Sequence, residues 1–167
     1  MSMISTNRAV AAAVVAAALL PVLTLTGCAP KTPDTEPIRD QIVQLNGVEG
    51  ASVRMTKSGL PTNRTVDVQL FVQSAESVDL PKLLEGALEA AWTRSDVEPS
   101  SGVKVAVIVG EDPTKRVEYL ENVTTLPLGQ AATALGFGTD EYSDFDRFIS
   151  VWKNGMVAHY GEWKPAS

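Results

Sequence analysis

His159 is the only histidine in this 167-residue chain and Cys28 the only cysteine, so these two residues bound the side-chain chemistry open to it. A Ser-His-Asp set has to use His159. Ser150 is its expected cross-strand neighbour, and Asp144 and Asp146 lie close in sequence. No Gly-x-Ser-x-Gly elbow is present, so Ser150 lacks the exposed, strained turn on which such a nucleophile sits. Zinc or copper sites built from histidine and cysteine need more ligands than the chain supplies. The acidic run from Asp140 to Asp146 offers oxygens, but without the spacing, glycine and closing glutamate of a calcium loop. Gly136-Phe137-Gly138 lacks the third glycine of a dinucleotide loop and the lysine of a P-loop. No catalytic residue, metal or cofactor is therefore assigned.

Binding is the remaining class. Lys153-Asn154-Gly155-Met156 has the signature of a type I′ turn between two apolar runs, which predicts a C-terminal β-hairpin. Counting outward pairs Trp152 with Val157, Ser150 with His159 and Phe148 with Gly161. One hairpin face then carries Phe148, Trp152, His159 and Trp163. Ile149, Val151, Ala158 and Tyr160 form the opposite, core-facing set. Aromatic groups interleaved with a few polar ones are common at partner and ligand surfaces. The competing reading is that helices cover these rings as core.

The amino terminus supplies a location. A short start carrying Arg8 is followed by an Ala-, Val- and Leu-rich run ending at Leu25, the layout of an export signal. Its uninterrupted part, Ala9 to Leu20, is 20 − 9 + 1 = 12 residues, short of the ~20 needed to cross a bilayer. The run ends in Leu25-Thr26-Gly27-Cys28, which resembles the lipobox of bacterial lipoproteins. That resemblance implies removal of residues 1–27, a diacylglycerol on the Cys28 thiol and an acyl chain on its new amino group. Two or more such chains anchor stably, at ~0.8 kcal/mol per buried CH₂. The mature chain is then expected on the extracytoplasmic face of the cell membrane.

Removing the signal leaves 167 − 27 = 140 residues, enough for one domain with its own core. Arg8 leaves with the signal, so 13 Lys and Arg stand against 20 Asp and Glu, a formal −7. An acidic chain with no basic cluster is a poor partner for nucleic acid. With Cys28 carrying lipid, no disulfide forms within the chain and stability rests on packing.

Residues 28–37 read as the lipidated cysteine and a proline-rich tether, and 38–167 as one globular domain. Thr35 and Pro37 open a helix through Ile38, Ile42 and Leu45, closed by Gly47. Ala51–Lys57 and Thr65–Gln73 alternate as strands. Asp79 caps a helix whose stripe runs Leu80, Leu83, Leu84, Ala87, Leu88, Ala91 and Trp92. Val103 to Val109 is apolar on both faces, the mark of a central strand. Asp112–Glu121 is open between a short helix and irregular chain. Leu128–Leu135 predicts a short helix closed by Gly136, and Gly138–Asp144 a loop.

The expected class is α+β: an antiparallel or mixed sheet with helices on one face, in the order α-β-β-α-β, then a helix and the hairpin. With the Leu45-Asn46-Gly47-Val48 turn into the first strand, that order resembles the BON modules of bacterial envelope proteins. The expected function is a lipid-anchored envelope protein acting as a binding or assembly module. Its partners would be the membrane, through the lipid, and an envelope protein or apolar ligand. The alternative is an envelope hydrolase using His159 or carboxylates.

Overall fold

Ile38 and Ile42, one helical turn apart, are fully buried in the first helix, α1 (Glu36–Ile42). The computed structural model describes residues 32–60 and 62–165, within a compact unit spanning Thr32–Ser167. The signal, the motif ending at Cys28 and the start of the tether lie outside the described residues. Fixed structure begins before Ile38. Thr35 precedes α1 but makes no side-chain cap, and its hydroxyl instead donates to the carbonyl of Val53 at 3.2 Å. After α1 the chain turns through Gly47, whose φ of 82° suits a residue without a Cβ.

Two antiparallel strands follow, β1 (Val48–Lys57) and β2 (Arg64–Val72). Helix α2 (Leu80–Thr93) then crosses over to β3 (Gly102–Val109), which runs parallel to β2. The α-β-β-α-β order is as expected. Helix α3 (Gly129–Ala134) ends at a Gly136 with φ 87°. The remaining strands are β4 (Tyr142–Phe145) and β5 (Phe148–Val151), and the last helix is α4 (Lys153–Tyr160). One five-stranded mixed sheet results, in the order β1-β2-β3-β5-β4. The fold is α+β.

The C-terminal hairpin is not formed as predicted. Lys153-Asn154-Gly155-Met156 opens α4, and Gly155 is not among the glycines with positive φ. Both edges of β5 are already occupied, by β3 and β4, so no edge remains for a following strand to pair with. Gly155 serves close approach instead: a Cβ there would lie 2.9 Å from the Cβ and carbonyl oxygen of Glu141. The actual hairpin is β4–β5, turning at Asp146-Arg147, where the acidic run Asp140–Asp146 ends. Asp112–Glu121 is irregular apart from a single 3-10 turn at Leu120–Asn122.

The four helices among the described residues pack on one sheet face. Leu84, Leu88 and Trp92 of α2 share one buried cluster with Val68, Leu70, Val105, Val107, Ile149 and Met156. The opposite face is not open either. The chain from Gly110 to Leu126 straps across it, and Phe71, Ala106 and Ile108 are buried there. Two polar clamps hold the strap. The Gln69 amide donates to the carbonyl of Val117 at 2.8 Å and accepts from its N–H at 2.9 Å. Asp67, buried, accepts from Arg116 at 2.7 Å and from Arg54 at 3.3 Å. Pro113 sits against Gly50, where a Cβ would meet it at 2.6 Å. Further along, the strap pairs with β3 through an Ile108–Thr125 bridge.

Asp79 caps α2 as expected, accepting from the N–H of Lys82 at 3.3 Å. Hydrogen bonding from the Lys82 side chain, then from its backbone, holds the Asp79 carboxyl below its ordinary value of 3.8. A lowered folded-state pKa stabilises the fold above the unfolded value and loses that contribution as the pH falls through the folded one. Asp79→Ala should melt below wild type at neutral pH, and the gap should close below about pH 3. Circular dichroism melts across that range provide the check. A gap that stays constant down to about pH 2.5 contradicts an ionised cap.

Candidate functional site

The four residues proposed as one surface are divided by the sheet. Phe148 lies on the strapped face, in register with Phe145 of β4. Trp163 packs half-buried against the helical core on the other side. His159, in the last turn of α4, stacks on the buried Phe137 with ring centroids 3.8 Å apart. Its Nε2 stands 3.8 Å from Glu141 Oε2, and the same carboxylate oxygen accepts from the N–H of Gly138 at 2.7 Å. Trp152, ahead of α4, is 42% exposed. The loss of the predicted hairpin explains the dispersal of His159 and Trp163, because residues after the turn take their places from cross-strand counting.

The same correction removes the Ser150–His159 pairing. Ser150 stands opposite Lys104 and Ser143 within the sheet, while His159 sits on a helix packed on the other face. Tyr160, next along α4, hydrogen-bonds the carbonyl of Glu85 at 3.4 Å. Burial, assisted by Glu85 and Glu89, pushes its ionisation far above the ordinary phenol range. Among the described residues, no group of three or more His, Cys, Asp or Glu is placed to hold a metal ion.

What the structure does assemble is a cleft around Phe148. The Lys104 ammonium lies 3.7 Å from the centroid of the Phe148 ring. Phe145 stacks on Phe148 with centroids 4.5 Å apart and planes at 28°. Sequence places these groups together for a simple reason. Lys104, Phe148 and Phe145 all point to the strapped face, and the tight Asp146-Arg147 turn brings the two rings side by side. Phe145 remains 46% exposed. The cleft holds about 370 Å³, closed along one side by Glu118, Leu120 and Glu121 of the strap. Asp146 and Arg147 complete its rim.

Phe148 was found from sequence; Phe145 and Lys104 were not. Phe145 was hidden in an acidic stretch read as loop. Lys104 is the one charged residue in a strand otherwise apolar on both faces.

Comparison with known proteins gives no match: no family model fits the chain, and neither curated proteins nor solved structures resemble it significantly. No described helix is long and apolar enough to cross a membrane.

Proposed function

We propose that this protein is a lipid-anchored envelope protein, held by Cys28 on the extracytoplasmic face of the cell membrane, whose domain works as a binding module rather than a catalyst. The observation that carries the binding half is the Phe145–Phe148 stack, open on its outer side within a small-molecule-sized cleft. The anchoring half rests on Leu25-Thr26-Gly27-Cys28 at the end of an apolar signal. A binding role also fits the way Asp67 and Gln69 are engaged by the strap, since both are committed to holding the fold together.

Metabolic labelling with fatty acid tests the anchor. Wild type should incorporate label and Cys28→Ala should not, leaving that variant uncleaved or released from membranes. Equal incorporation into both would sink the anchored reading.

A further inference from the structure

The rim of the cleft carries charges of both signs that are not spent on one another. Among the described residues, the side chains of Glu118, Glu121, Asp146 and Arg147 make no ion pair or hydrogen bond. Lys104 spends its ammonium on the Phe148 ring. A cleft for a strongly anionic ligand would not carry three carboxylates, and one for a cation would not carry Lys104 and Arg147. Mixed, unpaired donors and acceptors suit a neutral ligand with many hydroxyl or amide groups.

The floor adds a second requirement. Lys104 and Phe145 both pack on the Phe148 ring, and Phe145, 46% exposed, lends apolar surface to the cleft. The ligand must therefore have one flat apolar face as well as a polar edge. A pyranose ring has both, with axial C–H groups on its face and equatorial hydroxyls around its edge. Size points the same way. About 370 Å³ falls within the range of small-ligand sites.

We infer that the Phe145–Phe148 cleft binds a neutral saccharide, with one sugar ring stacked on Phe145 and its hydroxyls held by Glu118, Glu121, Asp146 and Arg147. This deepens the binding-module reading and rests on it, but not on the anchor.

The test is a calorimetric titration of the full-length chain in buffer with neutral oligomers of hexose and of N-acetylhexosamine. At least one oligomer should bind. Phe145→Ala should weaken that binding at least tenfold, about 1.4 kcal/mol by the affinity relation. Phe145→Trp should preserve it, and the circular dichroism of both variants should match wild type. Because the ligand is uncharged, affinity should hold between about 50 mM and about 500 mM salt. Absence of binding by every oligomer, or binding indifferent to Phe145→Ala, overturns the saccharide assignment. So does an affinity that collapses with salt. A protein captured by a photo-crosslinker at position 145, without saccharide binding, would overturn the ligand class and leave the binding module standing. Failure of the Cys28 labelling would remove the anchor and leave the titration unaffected.

Discussion

Asp67→Ala should lower the unfolding free energy by about 2–4 kcal/mol in urea titrations, because it leaves the Arg116 guanidinium without its anion. The Arg116 side chain is only 15% exposed and that of Asp67 only 6%, so little water is available to replace the lost partner. Arg54, on the neighbouring strand, is 48% exposed and offers a weaker, screened contribution. The pair fastens the strap rather than driving folding. Replacing both partners by leucine, in an Asp67→Leu, Arg116→Leu chain, should therefore cost less than Asp67→Ala alone. A loss below about 0.5 kcal/mol for Asp67→Ala would mean that apolar contacts alone hold the strap.

Leu84→Ala should cost about 2–5 kcal/mol, the span found when a buried leucine leaves a cavity that closes only in part. Leu84 is fully buried in the middle of α2, in the same cluster as Val68, Leu70, Val105 and Val107. Collapse into the space is resisted from both sides, by the sheet below and by α1, α3 and α4 around it. Leu80, only partly buried at the first turn of the same helix, supplies the internal control, and its truncation should cost less. Trp92 at the far end is fixed by an indole N–H donated to the carbonyl of Gly161 at 3.0 Å. Its fluorescence therefore reports on α2 and the C-terminal segment together. A Leu84→Ala loss below about 1 kcal/mol in denaturant midpoint analysis would contradict the packing of α2.

These two residues also show how far the sequence can be read. Leu84 belongs to a stripe of period 3.6, and such a stripe has one physical use, so the burial of α2 was legible. The alternation of β2 was legible too, but not its meaning. Asp67 and Gln69 look like residues facing water, yet they are buried because a strap with little regular structure lies over them. Nothing in the sequence around residue 67 says that an arginine 49 positions later will arrive there. The terminal hairpin failed for a related reason. Asn154-Gly155 carries a real local preference for a turn, but a turn forms a hairpin only if the strand before it has a free edge. Val151 pairs with Val103 on one side and Tyr142 on the other. Edge occupancy is a property of the assembled sheet. The candidate surface inherited that error: His159 and Trp163, which follow the turn, are parted from Phe148, which precedes it.

The sheet order carries one further consequence, for how the chain acquires its structure. β3 is the central strand, yet its partner on the open side is β5, which arrives late: Val103 meets Val151, a separation of 151 − 103 = 48 residues. β1, β2, α2 and β3 are contiguous and can pair as soon as they have been made. Thr124–Leu126 of the strap covers the Val107–Val109 half of that edge, but until β5 arrives the Val103–Val105 half is unpaired and strongly apolar, the kind of template that recruits other chains. Non-local pairing of this sort slows folding, because loop closure must precede its reward. A chain made from its amino terminus therefore passes through a stage in which most of the core is present and the first half of its middle strand is bare on one side. The last twenty or so residues end that exposure by inserting β5 and seating Met156 against the core. Truncations that remove them should raise the yield of aggregate more than their small share of the chain would imply.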